Sequence, residues 1–165
     1  MATLRALSGD AGPLFKVDPA LPKDQQENRY LYISQKLATW IDEKLPDIRD
    51  KFETQLSALE QFVDFVERFC RGDKLHHPHD FHVLHHVEKG IWELKTKNLR
   101  IFGWFVGIDC FIGVSGHEAG RVKRLGLVPG LVNEAVQYRN ALALDEPKYI
   151  PGDDSNAVVS NFNFT

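Results

Sequence analysis

Apolar and polar positions follow a period of two through residues 91–117, IWELKTKNLRIFGWFVGIDCFIGVSGH, with helical periods on both sides. The period-two region predicts three consecutive strands. Residues 91–96 and 99–106 are rich in aromatic and branched side chains, and Lys97-Asn98 between them is a polar pair suited to a tight turn. A two-residue turn there sets Lys95 opposite Arg100, Leu94 opposite Ile101 and Glu93 opposite Phe102. Because side chains alternate faces, one face carries Glu93, Lys95, Arg100, Phe102 and Trp104, and the other carries Trp92, Leu94, Leu99, Ile101 and Phe105. A second turn at Gly107-Ile108 leads into a strand over residues 109–115. In that register Cys110, Ile112 and Val114 join the apolar face, and Phe111, Gly113 and Ser115 join the mixed one.

Upstream, Tyr30, Ile33, Leu37, Trp40, Ile41 and Leu45 form a helical stripe. It predicts a helix over residues 29–45, ended by Pro46. The same proline opens a second helix over 47–70, with Asp47 and Asp50 in the positively polarised first turn. Its stripe runs from Ile48 to Phe69, and Arg71-Gly72-Asp73 supplies a glycine stop. A histidine-rich segment leads into a strand at 82–87, and a helix over 128–144 with Pro129 near its start closes the chain's regular part. Residues 1–28 read as an arm with a short edge strand near 14–17, and residues 145–165 read as an irregular tail. The expected fold class is α+β: an N-terminal helical hairpin packed on a small antiparallel β-meander with a C-terminal helix, as a single domain over 29–144.

Composition adds limits. The chain has 165 residues, enough for one domain with a real core, and its 43% hydrophobic and 26% charged residues are ordinary for a soluble globular protein. No apolar core follows a basic start, so no secretory leader is expected. The longest apolar run, residues 101–114, is too short for a bilayer and is interrupted by Asp109. A cytoplasmic location without a membrane partner is the expectation, with Cys70 and Cys110 as free buried thiols. Net charge is −3, yet residues 84–124 hold seven Lys/Arg against four Asp/Glu, with three histidines. A basic stretch on an acidic chain points to a polyanionic partner.

Two constellations carry candidate chemistry. The mixed sheet face offers facing cations, a carboxylate and aromatic rings, a surface suited to a phosphate and a stacked base. Six of the seven histidines lie between His76 and His86. His76, His77, His79 and His82 could ligate Zn, Ni or Cu, although no Cys or clear carboxylate partner completes a tetrahedral set. A metal-binding protein or hydrolase is therefore one reading. The chain contains no Walker-type loop, no GxGxxG and no GxSxG.

The stretch HHVEKGIWELKTKNLRIFGWF…CFIGVSGHEAGRVKRLGLVPGLVNEAVQYRNAL resembles the RelE/HigB-like toxins of bacterial type II toxin–antitoxin systems, in particular the phage-derived HigB-like branch. The resemblance rests on Gly90-Ile91-Trp92-Glu93-Leu94-Lys95, on Leu99-Arg100-Ile101-Phe102, on the apolar third strand and on the Pro-initiated helix containing Glu134-Ala135, and it covers roughly residues 83–143. It implies a RelE-like fold and an endoribonuclease that cleaves mRNA on the ribosome by attack of a ribose 2′-hydroxyl, with no metal or other cofactor. It also implies a cognate antitoxin as partner. Arg100 matches the family's arginine of the second meander strand and becomes the phosphate clamp. Lys95 stands where the family has an arginine, keeping the charge without the bidentate fork. His86 and His117 are the catalytic histidine candidates. Lys89, Arg121 and Lys123, with Phe102 and Trp104 on the sheet face, are the substrate-binding candidates. The chain departs from the family in its length, its acidity and the absence of a Lys-Lys pair, whose place is taken by His117-Glu118-Ala119-Gly120. These departures motivate a further reading, a RelE-like scaffold that binds protein or RNA without cleaving.

Overall fold

The structure is a computed structural model in which residues 1–48 and 56–164 are described. Along the chain come α1 (Leu4–Leu7), β1 (Leu14–Lys16), β2 (Tyr30–Ser34), α2 (Gln35–Glu43), a 3-10 turn at Leu45–Asp47 and α3 (Ala58–Arg71). β3 (Leu75–His77), β4 (Phe81–Val83), a 3-10 turn at Val87–Lys89, β5 (Trp92–Lys95), β6 (Leu99–Gly107) and β7 (Cys110–Glu118) follow. The chain ends with α4 (Ala119–Leu125), α5 (Val128–Ala141), α6 (Ser155–Val158) and β8 (Phe162–Phe164). The class is α+β, with a mixed six-stranded sheet in the order β1-β2-β7-β6-β5-β4 and a separate parallel pair β3-β8.

The first meander turn falls at Lys97-Asn98 as expected, with Lys95 paired to Arg100, Leu94 to Ile101 and Glu93 to Phe102. The second turn lies one residue later than expected, at Ile108-Asp109, where Asp109 adopts φ 60° and Gly107 pairs with Cys110. The carboxylate of Asp109 explains the position. It accepts from the buried Arg29 guanidinium at 3.2 Å and from the Ser160 amide at 3.0 Å, so the turn is tied to two distant segments. The faces of β7 are exchanged just beyond this turn, where Gly107 pairs with Cys110 and Phe105 with Phe111, leaving Val106 as an extra residue in β6. Phe111 therefore packs on Phe105, with ring centroids 4.9 Å apart, whereas Ile112 and Val114 lie with Phe102 and Trp104.

A bulge then restores the parity. Gly103 pairs with Gly113 and Phe102 with Ser115, which leaves Val114 as an extra residue in β7. Beyond it Gly116 pairs with Ile101 and His117 with Arg100. Without the extra residue His117 would fall opposite Leu99 and point to the other face.

Both faces of the sheet are covered. α3 lies on one, where Phe62, Phe65, Val66 and Phe69 meet Trp92, Leu94, Ile101 and Phe105. α4 and α5 cover the other, where Val122, Leu131, Val132 and Ala135 meet Phe102, Trp104, Ile112 and Val114. α3 begins on the N-cap Ser57, whose Oγ accepts from the Glu60 amide and donates to the Glu60 carboxylate. It ends at Gly72, φ 90°, the glycine stop expected from the sequence.

Several expected elements take another form. The helix expected over 29–45 starts only at Gln35. Tyr-Leu-Tyr-Ile before it alternates with period two and forms β2, parallel to β7. Ser34 is the N-cap, accepting from the Leu37 amide at 3.0 Å, while its hydroxyl donates to the Val114 carbonyl at 2.6 Å. The expected antiparallel meander is thus the central part of a mixed sheet. The second helix does not begin at 47: Pro46 sits in the 3-10 turn and Ile48 is extended. Residues 49–55 of that expected helix, Phe52 among them, lie outside the described residues. In place of an N-terminal hairpin, α2 packs on the second half of β7 and α3 covers one sheet face. The strand expected over 82–87 shortens to Phe81–Val83, because His86 takes a left-handed conformation, φ 61° and ψ 61°, at the head of the 3-10 turn.

The arm and the tail both belong to the fold. β1 is the edge strand expected near 14–17, and Ala2 bridges Leu144. The segment 145–165 is not irregular throughout. Ile150 donates to the Phe105 carbonyl at 2.9 Å, the Val158 carbonyl accepts from Asp109, and β8 pairs with β3. Arg29 holds this end together from a buried position, donating to the carbonyls of Phe69, Asp73 and Asn161.

Candidate functional site

The uncommitted chemistry of the sheet lies on the face shared with Phe102. Two rows cross it. His82, Glu93, Phe102 and Ser115 are successive register partners on β4, β5, β6 and β7, and Lys95, Arg100 and His117 form the next row. Three residues expected to act together from the sequence, Lys95, Arg100 and His117, are thus neighbours on three adjacent strands.

Each is held differently. Lys95 Nζ donates to the Pro78 carbonyl at 3.2 Å. Arg100 is half-buried, and its Nη1 donates to the carbonyls of Thr96 and Leu99. Its Nε and Nη2 make no hydrogen bond among the described residues, so one edge of the guanidinium is unpaired. Burial lowers the Arg100 pKa and nearby Glu93 counteracts this, but an arginine stays charged at any working pH. Glu93 itself is buried, and the nearest basic group is His82, Nδ1 to Oε1 3.6 Å, rather than Lys95 or Arg100.

The His117 ring stands edge-on to Phe102, centroids 6.1 Å apart. Its Nε2 is enclosed without a hydrogen-bond partner, as is the hydroxyl of Ser115 two residues earlier. Nδ1 is neither enclosed in this way nor hydrogen-bonded among the described residues. Burial lowers the imidazole pKa, opposed by Glu134 and reinforced by Lys36 and Arg121. A neutral ring with a proton on Nε2 leaves Nδ1 as a free base.

His117 also lines a cleft of about 610 Å³ between the end of α2, the end of β7 and α4, walled by Trp40, Lys44, Asp47, Glu118 and Arg121. Its apolar floor is Ile48, Leu127 and Leu131. Trp40 is partly buried, and the Cε3–Cζ3 edge of its indole lies 2.9 Å from where a Cβ on residue 116 would stand. Only a glycine at Gly116 leaves room for this ring.

The other expected residues are placed elsewhere. Phe102 and Trp104 are not exposed for stacking: both are fully buried beneath α5, because the polar-looking face is covered by a helix. Trp104 Nε1 donates to the Lys148 carbonyl at 2.8 Å, and Arg139 lies 3.6 Å above the Tyr149 ring beside it. His86 and Lys89 line a separate pocket of about 250 Å³ with His85, Pro129 and Asn133, which shares no residue with the cleft at His117. Arg121 reaches the cleft, whereas Lys123 is exposed on α4 and does not line it.

The histidine cluster disperses. His76 is on β3, His77 packs against Phe81, Trp92 and Phe164, His79 is exposed beside Asp80, and His82 faces Glu93. Among the described residues no three His, Cys, Asp or Glu side chains come together to hold a metal ion. Both cysteines are free, and burial pushes the Cys70 thiol to about 12 and the Cys110 thiol to about 11, so neither is a nucleophile near neutrality. Among the described residues no helix is long and apolar enough to cross a membrane.

Trp40 and Lys44 are cleft residues that sequence reasoning did not single out. Trp40 and Lys44 stand four apart, a spacing that puts both on one helix face. That spacing was the only available signal, since nothing in the sequence brings α2 to the end of β7.

Comparison of the chain with protein-family models, with curated proteins and with solved structures finds no match.

Proposed function

We propose that this protein is an RNA-cleaving toxin of the RelE/HigB-like kind, an endoribonuclease acting on mRNA at the ribosome and held in check by an antitoxin protein. The observation that carries the reading is the row Lys95–Arg100–His117, which sets two cations and a free imidazole nitrogen side by side on one sheet face. The resemblance of residues 83–143 to that family supports it independently.

The chemistry asks little more of the chain. A ribose 2′-hydroxyl attacks the adjacent phosphorus, and its proton passes to His117 Nδ1. The unpaired edge of Arg100 and the Lys95 ammonium offset the negative charge that develops on the phosphoryl oxygens. The bond from phosphorus to the 5′-oxygen breaks, that oxygen takes a proton from water, and the products are a 2′,3′-cyclic phosphate and a 5′-hydroxyl. Arg100 does not have to be reoriented to do this, and Lys95 gives one of its three donors to the Pro78 carbonyl and keeps two for the phosphate.

One observation favours a second reading, a RelE-like module that binds RNA without cutting it. Lys95 Nζ and Arg100 Nη1 are both engaged by backbone carbonyls, which reduces the charge on offer to a phosphate. The two readings part on product analysis. Purified protein incubated with end-labelled mRNA, with and without ribosomes, is expected to yield fragments ending in 2′,3′-cyclic phosphate. Retention of intact RNA on the protein in both mixtures points to the binding module.

A further inference from the structure

Phe102 and Trp104 lie under α5, so neither offers a ring to a nucleobase. An RNA strand with its phosphate at Arg100 and its 2′-hydroxyl at His117 needs a place for the base next to that hydroxyl. Lys95, Arg100 and His117 lie in that order across three strands, and the cleft opens beside the last of them. Its aromatic wall is Trp40.

We propose that the cleft beside His117 is a nucleobase subsite in which Trp40 stacks the base while Lys44 and Arg121 flank the adjoining phosphates. The assignment rests on the ribonuclease reading for its substrate and extends it to residues outside the β-meander.

Size and wall chemistry both fit. A volume of about 610 Å³ falls in the range of about 300–1,000 Å³ common for small-ligand sites. Two cations, Lys44 and Arg121, are balanced by two carboxylates, Asp47 and Glu118, around an apolar floor. A bare anion has no use for such a floor or for the carboxylates. A flat heterocycle with ring N–H and amine donors at its edge and a phosphate attached uses all three. Gly116 belongs to the same device, because any side chain there would displace the indole.

The position of Trp40 also makes the idea measurable. Trp92 and Trp104 are fully buried and Trp40 is not, so a ligand that changes tryptophan emission by stacking reports on Trp40. Titration of the full chain with nucleoside 3′-monophosphates is expected to quench emission saturably, and inorganic phosphate alone is not. By calorimetry, Trp40→Leu should bind the nucleotides about 10-fold or more weakly, in keeping with the energy of one base–aromatic stack. Trp40→Phe retains a ring and should keep most of the affinity, which separates loss of stacking from loss of folding. With a short RNA, kcat/KM should fall by a similar factor in Trp40→Leu. Nucleotide binding at Trp40 in a wild-type protein that leaves RNA intact supports the subsite and removes the nuclease reading. RNA cleavage that is equal in wild type and Trp40→Leu, with no saturable quenching, overturns the subsite and leaves the nuclease.

Discussion

Arg100 and His117 face each other across β6 and β7 because Val114 is an extra residue between them and the preceding register. The bulge turns one polar residue out of an apolar strand alternation and sets it beside the arginine. Bulges re-aim side chains in this way near functional sites. Here the result is a cation and a neutral imidazole on the same face of the sheet, with the core ring of Phe102 beneath the imidazole.

The protonation of His117 predicts a pH profile. Burial holds its pKa below the ordinary 6.5, so the neutral form that accepts a proton persists where a free histidine is already charged. The rate of RNA cleavage is expected to rise with pH through a midpoint below 6.5. His117→Gln should flatten that limb as well as lower the rate.

The same shift acts on stability. The unfolded chain takes up a proton at this position at higher pH than the folded chain does. The contribution is therefore full above the ordinary value of 6.5 and is lost as pH falls through the folded value. His77, lowered by burial and by His82 and Lys95, works in the same direction. Thermal melts should show Tm falling as pH drops from 7 to 5, with a shallower slope in His77→Gln.

Arg29 is predicted to be a stability residue with no part in catalysis. Its guanidinium is buried, pairs with Asp109 and donates to three backbone carbonyls. Arg29→Met removes those donors and leaves the carboxylate without its partner. Removing one side of such a buried network costs about 3–5 kcal/mol, to be read from urea denaturation.

Gly103 should not tolerate even alanine. A Cβ there would lie 1.9 Å from the Ile112 carbonyl oxygen, so the paired strands must separate. The expected loss for Gly103→Ala is about 1–3 kcal/mol or more. Gly107→Ala is the control: nothing lies within 4 Å of its Cβ position, and its stability should stay near wild type.

Truncation after Leu144 should abolish cooperative unfolding. It removes the acceptor for Trp104 Nε1, the Ile150 bond to Phe105 and the buried pair Val158 and Val159. A truncated chain that melts like the full one would show that the tail only decorates the sheet.

The β-meander was legible because Lys97-Asn98 is bounded by strong strand formers, and the pairs Lys95–Arg100 and Glu93–Phe102 follow directly from the turn. The helical reading of residues 30–34 failed on a short segment that satisfies both periods. Tyr30, Ile33 and Leu37 fit a helical stripe, but Ser34 caps α2 and Tyr-Leu-Tyr-Ile pairs with β7. Phe102 and Trp104 looked exposed because they share a face with Arg100. Only tertiary structure shows that α5 covers that part of the face. Val114 as a bulge, and with it the partnership of Arg100 with His117, has no local signature: Val114 and Ser115 read as ordinary alternation. The tail was misjudged for a related reason, since many of its hydrogen bonds run to β6, to the β6–β7 turn and to β3 rather than to near neighbours.

The central claim concerns Arg100 and His117 as one RNA-cleaving pair, and the most direct measurement is mapping of mRNA 5′ ends after induced expression in a bacterial host. Wild type, Arg100→Ala and His117→Gln would be compared at equal soluble levels. The account predicts growth arrest with new cleavage sites for wild type. In Arg100→Ala the cuts should be reduced by about 100-fold or more, the scale of removing one group that stabilises developing charge, and in His117→Gln they should be strongly reduced. Soluble wild-type protein that neither arrests growth nor produces new ends, or an Arg100→Ala protein that cuts like wild type, would contradict it.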